Sequence, residues 1–111
     1  MVGDPIIEGK ENIIHHLDCD GMYAKEFHLV AGGWVLEHAH KIDHFGFLAY
    51  GEATLNNGQL SRAIVGPAIF TIKAHVAHSI HATTAIGWVC IWPNPDRDSD
   101  PEVIDAKVSA N

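Results

Sequence analysis

The sequence predicts an all-β protein, a sandwich or barrel built from short strands. Between residues 22 and 93, six to eight short runs rich in β-branched and aromatic residues are separated by turn residues every ~8–12 positions. The sharpest turn signal is Asn56-Asn57-Gly58, because Asn and Gly tolerate the positive φ of tight hairpin turns. A chain of 111 residues fits one such domain with a single core.

The chain divides into three segments. Residues 1–22 combine turn residues with short apolar pieces, which predicts one or two short strands at a sheet edge or a dimer contact. Residues 23–93 carry the barrel. Residues 94–111 form an acidic tail, which we expect to be a short helix or a solvated arm.

Within the barrel, apolar runs and turn residues locate the individual strands. We expect them at residues 23–30, 34–40, 44–55, 59–65, 68–74, 78–82 and 86–92. Pro93 and Pro95 end the series, because proline cannot donate a hydrogen bond to a ladder. In the tail, Glu102–Ser109 is the stretch that could form one or two helical turns.

Composition and charge narrow the class of protein. The chain has 7 Lys and Arg against 14 Asp and Glu, a net charge of −7 without a basic patch, so we expect no nucleic-acid or membrane partner. No apolar run approaches the ~18 residues of a membrane span, and the N-terminus lacks an apolar core of signal-peptide length. Cys19 and Cys90 form no disulfide framework and fit a reducing compartment. We therefore expect a cytoplasmic protein.

Histidine is the compositional outlier, with nine in the chain and six of them between positions 38 and 81. The stretch Gly32–Gly51 places His38, His40 and His44 at offsets of two and four, all of one parity. Side chains at i and i+2 leave the same face of a strand, so the rings of His38 and His40 would converge in front of the sheet. Imidazole is the commonest protein ligand for transition metals, so this spacing predicts a metal site. Asp43 is the rival of His44 as third ligand, although its parity is opposite.

The same stretch resembles the first motif of the cupin superfamily, which reads glycine, five residues, His-X-His, three or four residues, glutamate, six residues, glycine. Here Gly32, His38, His40 and Gly51 keep the spacing, and His44 stands at the position of the glutamate. The resemblance implies a double-stranded β-helix, the jelly-roll barrel of cupins. It also implies one divalent transition metal, Fe, Mn, Ni, Cu or Zn, held by four histidines instead of three and a glutamate.

The second cupin motif is resembled more loosely by Gly66–Ala82, GPAIFTIKAHVAHSIHA. The resemblance makes His78 the fourth ligand. This segment departs from the motif in a spacing longer by one residue, in a turn without proline and glycine, and in the loss of the final asparagine. His75 and His81 therefore stay open as alternatives to His78.

Strand parity predicts the wall of a pocket beside the metal. The side chains expected to face it are Trp34, Leu36, Leu48, Tyr50, Phe70 and Ile72. This wall would suit a small, mostly apolar ligand at an open metal position. Tyr50 is the candidate catalytic residue, as a proton donor beside the metal, and no second carboxylate or lysine is expected in the pocket. His28 fits either the pocket or the surface, and His15 and His16 are expected at the surface or an edge.

These features predict a mononuclear metalloprotein that resembles cupin dioxygenases of small molecules. The sequence has no nucleophile elbow, phosphate-binding loop or HExxH helix, so any chemistry must rest on the metal. Two alternatives stay open. One is a non-redox metal-dependent lyase, isomerase or cyclase, and the other is a module that binds a metal or small ligand without turnover. We expect a small-molecule ligand or substrate and a homodimer, which is common among small cupins.

Overall fold

The computed structural model describes residues 7–8, 13–19 and 21–108, with side chains from residue 21 onward except at 101, 105 and 108. The side chains of His15, His16 and Cys19 lie outside the described set. Within these ranges the chain forms the following strands and helix: β1 (Ile7–Glu8), β2 (Ile13–Cys19), β3 (Met22–Leu29), β4 (Trp34–His38), β5 (His44–Tyr50), β6 (Glu52–Asn57), β7 (Leu60–Val65), β8 (Ala68–Ile72), β9 (His78–Ala82), β10 (Ile86–Pro93) and α1 (Pro101–Val108).

The strands form two antiparallel five-stranded sheets. The first sheet has the order β1-β4-β9-β6-β7, and the second has the order β2-β3-β10-β5-β8. From β4 to β10 the chain passes repeatedly from one sheet to the other, which is the winding of a double-stranded β-helix. The predicted all-β class is confirmed, and β1 and β2 lie at sheet edges as expected.

The core lies between the inner faces of the two sheets. From β10, Trp88, Cys90 and Trp92 share the inner face, each at 1% exposure, as their parity predicts. Leu55 and Ile80 oppose them from the other sheet and are also buried. Burial of large apolar side chains supplies the main driving force for folding, at about 25 cal/mol per Å² removed from water.

One predicted strand is in fact two. The run expected at 44–55 is broken at Gly51, which has a φ of 89°. A Cβ at this position would overlap the carbonyl oxygen of Ala85, so both the backbone conformation and the close approach require glycine. The chain thereby leaves β5 in the second sheet and enters β6 in the first.

A β-bulge in β4 changes which residues face the core. Val35 pairs with Ile80 and His38 pairs with His78, so three steps along β4 match two steps along β9. The extra residue inverts the parity between Val35 and His38, and both positions face inward. Val35 accordingly has 1% exposure and belongs to the core.

The bulge corrects the expectation that Trp34 lines the pocket. Trp34 pairs with His81, and the two rings stack at a centroid distance of 4.2 Å on the outer face of the first sheet. Leu36 lies inside the bulge, where its carbonyl accepts a hydrogen bond from the ring of His38. Parity carried back from His38 fails because it assumes an unbroken alternation.

A second bulge lies between β5 and β10 and displaces Tyr50. Trp88 pairs with Leu48 but the preceding Gly87 pairs with Tyr50, so two steps of β5 match one step of β10. Leu48 is fully buried, as expected, whereas Tyr50 is 47% exposed. Tyr50 therefore lies on the outer face of the second sheet, and the expectation that it lines the pocket is wrong.

The tail carries α1, so the helical alternative for this segment is the one observed. The carboxylate of Asp100 accepts a hydrogen bond from the backbone N–H of Glu102 and caps the helix. Ile104 is 2% exposed and packs into the core, while Lys107 forms ion pairs with Asp96 and Asp98. No helix in the described ranges has both the length and the apolarity needed to cross a bilayer.

We expect Gly46→Ala to destabilise the barrel by about 1–3 kcal/mol, because the inner face has no room for a methyl group. A Cβ at Gly46 would lie 2.5 Å from Cη2 of Trp88 and 3.0 Å from Cδ1 of Ile72. Trp88→Phe removes the contacted indole atoms, so the cost of Gly46→Ala should be smaller in that background. Urea unfolding of the four proteins measures this difference, and an equal cost in both backgrounds would contradict the overlap.

Candidate metal centre

The four histidines expected at the metal meet at one end of the barrel. His38 is the last residue of β4, His44 is the first of β5, and His78 is the first of β9. His40 lies in the connection between β4 and β5, and His38 and His78 are directly paired across the ladder. Strand ends thus position three of the rings, and a short connection positions the fourth.

Three of the rings lie close enough together to bind one shared ion. One ligand atom from each of His38, His40 and His78 lies within 4.8 Å of the others. The ring of His44 is close as well, at centroid distances of 4.7 Å from His40 and 5.4 Å from His78. The structure therefore brings all four rings together, with His44 slightly outside the tight group.

The hydrogen bonds of the cluster leave ring nitrogens without partners. The Nδ1–H of His38 donates to the carbonyl of Leu36 at 2.8 Å, so Nε2 is the ring nitrogen that carries the lone pair. The Nδ1–H of His78 likewise faces the carbonyl of Val76 at 3.3 Å, and its buried Nε2 has no hydrogen-bond partner among the described residues.

The other two rings also have ring nitrogens without partners. Nδ1 of His40 and both ring nitrogens of His44 are buried without a hydrogen-bond partner in the described part of the chain. Buried polar atoms almost always have a hydrogen-bond partner in native proteins, so several ring nitrogens without one in a single cluster need an explanation. A metal ion that accepts these lone pairs supplies it, and carbonyl bonds at Nδ1 are the usual second contact of a metal-binding histidine.

Burial keeps the four imidazoles neutral. Desolvation lowers the pKa of His40 to about 2, of His78 to about 3 and of His44 to about 4, with a further contribution from the neighbouring histidines. Desolvation also lowers the pKa of His38, against the hydrogen bond to Leu36, which raises it. The neutral ring is the form that binds a metal, so these residues need not lose a proton to do so.

Trp92 forms the floor of the site. Its indole ring stacks on His44 at 5.0 Å with an interplanar angle of 17°, and His40 meets it edge-on at the same distance. With 1% exposure, Trp92 fixes two of the four rings and shields them from water. Trp92 was expected on this face of β10, but not in contact with the histidines.

Lys25 enters the interior, against the expectation that no lysine does. Its residue exposure is 2%, and its Nζ lies 5.9 Å from the centre of the Trp92 ring. The positive charge of Lys25 contributes to lowering the pKa of His38 and His40, so it lies within electrostatic range of the cluster. The sequence could have indicated this, because residues two apart in a strand share a face, and Lys25 therefore lies on the same face of β3 as Tyr23 and Phe27.

The rival ligands lie elsewhere. The carboxylate of Asp43 is exposed, accepts the backbone N–H of Ala74 at 2.8 Å and faces Lys73. His75 is exposed, with a φ of 63°, and donates its backbone N–H to the carbonyl of His40. His81 stacks on Trp34 on the outer face.

Tyr50 cannot serve the cluster as a proton donor, because it belongs to a separate group on the outer face. Its hydroxyl lies 3.1 Å from Nδ1 of His28, whose Nε2 lies 3.0 Å from the carboxylate of Glu26. His28 and Tyr50 flank Gly87 on neighbouring strands, and a Cβ at Gly87 would overlap the Tyr50 ring. His28 is thereby assigned to the surface.

Comparison with known proteins identifies the fold. No protein-family model matches the chain, and no curated protein does. A cupin 2 domain-containing protein from Halorhodospira halophila matches with a TM-score of 0.67 at 19% identity, over 75% of this chain and 64% of that one. A cupin superfamily protein from Desulfitobacterium hafniense matches with a TM-score of 0.65 at 20% identity, over 78% of this chain and 82% of that one. The chain has the cupin fold.

The cupin fold also occurs in larger proteins that match this chain. An oxalate decarboxylase from Lactobacillus farciminis matches with a TM-score of 0.68 at 17% identity, over 84% of this chain but only 31% of that one. At these identities the likeness concerns the fold alone. The cupin fold and the histidine cluster together indicate metal binding.

We expect the metal-free protein to lose stability as the pH falls from 7.5 to 5.5, around the ordinary histidine pKa of about 6.5. In this range the unfolded chain takes up protons that the buried rings of His40, His44 and His78 do not, since their pKa values lie at about 2, 4 and 3. The free energy of unfolding should fall by about 1.4 kcal/mol per pH unit for each such histidine once the pH is well below 6.5.

Urea unfolding of the metal-free protein at a series of pH values measures this slope. His44→Phe should reduce the slope, because it removes one buried imidazole while keeping an aromatic ring beside Trp92. His75→Gln, which removes an exposed histidine, is the matched control. A free energy of unfolding that stays constant from pH 7.5 to 5.5 would contradict neutral burial of the cluster.

Proposed function

We propose that this cupin-fold protein binds one divalent transition metal through His38, His40, His44 and His78 and uses it in dioxygenase-type oxidation of a small molecule. The observation that supports the site is the convergence of ring nitrogens that have no hydrogen-bond partner among the described residues. Four neutral nitrogen donors suit Fe, Ni, Cu and Zn better than the hard ions Mg and Ca. Mn is also among the metals that the site could bind.

The donor set also sets the charge of the site. Neutral imidazoles leave the 2+ charge of the metal uncompensated, so the site favours anionic or electron-rich ligands at an open coordination position. The bound metal would supply Lewis acidity and, if it is redox-active, a place for O2 beside the substrate. The chain's own part is to hold the rings through Leu36, Val76 and Trp92 and to keep water out with Ile72.

A non-redox reaction is the second candidate, as a metal-dependent lyase, isomerase or cyclase. Two observations favour it. The cupin fold is shared with oxalate decarboxylases, and Lys25 places a positive charge in the interior that would stabilise an anionic intermediate. A module that binds a metal or ligand without turnover is favoured by the outward position of Tyr50, which removes the expected proton donor from the pocket.

We expect His38→Ala and His78→Ala each to weaken Ni²⁺ binding by at least about tenfold, because each variant removes one donor from the chelate. The measurement is competition with a chromophoric chelator on tag-free protein, with circular dichroism to verify folding. His81→Ala is the control, since this ring lies on the outer face. Unchanged affinity in both His38 and His78 variants would overturn the site.

His44→Ala decides between three and four ligands. A loss comparable with that of His38→Ala would assign His44 as a ligand, whereas an unchanged affinity would leave His38, His40 and His78 as a three-histidine site. The position of the His44 ring just outside the tight group makes this the most informative single variant.

Oxygen consumption tests the reaction class. We expect the protein loaded with Fe²⁺, Mn²⁺, Ni²⁺ or Cu²⁺ to consume O2 with at least one member of a panel of catechols, β-diketones and thiols. The Zn²⁺ form should be inactive because zinc does not change oxidation state, and His38→Ala should be inactive because it removes one metal ligand. A flat oxygen trace with every metal would favour the non-redox reaction or the binding module.

A further inference from the structure

A cavity of about 330 Å³ opens between the edge strands β7 and β8, and its lining residue Asn57 pairs with His78 of the cluster. Its lining residues are Leu55, Asn57, Leu60, Arg62, Ile69, Phe70 and Thr71. Among them Arg62 is the one ionisable residue. The volume lies at the small end of the range typical of small-molecule sites.

Arg62 belongs to the inner face of the barrel although it is exposed. Leu60, Arg62 and Ile64 share one parity along β7, and Ile64 is buried in the core. Arg62 pairs across the ladder with Leu55, which is also a core residue. Its exposure therefore results from the open gap between β7 and β8, and the side chain occupies the mouth of the cavity.

The guanidinium group has a defined position in this mouth. Its Cζ lies 4.9 Å from the centre of the Phe70 ring, within the range of a cation–π contact. Phe70 comes from the opposite sheet, where it pairs with Gly46 of β5. The contact thus spans the gap between the two sheets and leaves the N–H groups of Arg62 able to donate to a ligand in the cavity.

The sheet register sets the separation between Arg62 and the cluster. Asn57 pairs with His78, and Leu55, two residues earlier on the same strand, pairs with Arg62. Two strand spacings and two residue rises give a Cα separation of roughly 12 Å between Arg62 and His78. An arginine side chain extends over about half of this distance, so a ligand of a few carbon atoms would reach both its guanidinium and the cluster.

The ionisable residue that lines the cavity is positive, and the acidic group that acts electrostatically on His44 is the exposed Asp43. Arg62 and the buried Lys25 are positive, and a divalent metal held by neutral imidazoles would add two positive charges. Among the described residues, the buried polar side chains include Lys25, His40, His44 and His78 but no carboxylate. The acids that give the chain its charge of −7 therefore lie outside this interior, as far as the described residues extend.

We propose that the cavity binds a small carboxylate anion, with one carboxylate paired to Arg62 and a second oxygen group directed to the histidine cluster. Guanidinium binds carboxylates through two parallel N–H···O bonds, which gives both affinity and orientation. This inference rests on the proposed metal site for the second contact, whereas the contact with Arg62 depends only on the chain. The proposed ligand is therefore a small dicarboxylate, or a keto or hydroxy acid, of two to four carbons, and not the mostly apolar ligand that the sequence predicts.

The experiment compares malonate with malonamide, its neutral analogue of the same shape, by isothermal titration calorimetry on the Ni²⁺-loaded protein. We expect malonate to bind at least about tenfold more tightly than malonamide, and Arg62→Gln to weaken malonate binding by a similar factor. Arg62→Lys should lie between the two, because it keeps the charge but loses the planar fork. Arg97→Gln, which removes the same charge outside the cavity, should bind malonate like the parent.

Metal content, measured in every sample before and after titration, separates this inference from the proposed function. If the chain binds no metal, the proposed function fails, and malonate-induced amide shifts in metal-free protein then test Arg62 alone. Loss of these shifts in Arg62→Gln supports the inference. Three outcomes would overturn the inference. The parent and Arg62→Gln could bind malonate equally well, the parent could bind malonamide as tightly as malonate, or malonate could bind neither the Ni²⁺-loaded nor the metal-free protein.

Discussion

The site depends on the burial of four imidazole rings whose nitrogens are not all hydrogen-bonded by the described residues. Burial lowers the pKa of His40, His78 and His44 to about 2, 3 and 4, so the rings remain neutral at physiological pH. Four charged rings this close together would repel one another strongly, and four neutral rings leave lone pairs that need a partner. A cation bound at the cluster would provide that partner, so its binding free energy would add to the stability of the barrel.

The barrel holds this arrangement through elements that are rigid for other reasons. His38 and His78 are paired in a ladder, and Trp92 from the opposite sheet packs against His40 and His44 while it closes the end of the core. Ring orientation therefore does not depend on a flexible loop alone. A displacement of the backbone at any of these strand ends would disturb core packing as well as the site, which favours one geometry.

Sequence reasoning located the histidines and the β-architecture, and it failed where alternation is interrupted. His-X-His and the apolar runs are local patterns, so they can be read from one segment. The outward positions of Trp34 and Tyr50 depend on bulges that appear only in the pairing with β9 and β10. A bulge inverts the facing of every residue beyond it, and its location is set by the partner strand, which no local pattern reveals.

The buried Lys25 and the exposed Arg62 were missed for a different reason, and they bear on which ligands the site can accept. A charge of −7 argues against nucleic acids, because such partners meet the whole outer surface. The net charge says little about which ligands a cavity binds. At physiological ionic strength, charges in solvent are screened beyond about 8 Å, while groups inside a barrel interact through a medium of lower dielectric constant. The local groups, the buried Lys25, the exposed Arg62 and the exposed Asp43 near His44, therefore weigh more in the potential that a ligand meets than the net charge does. An acidic protein can thus place positive groups at a cavity, and anion selection there would follow from side-chain placement and not from net charge.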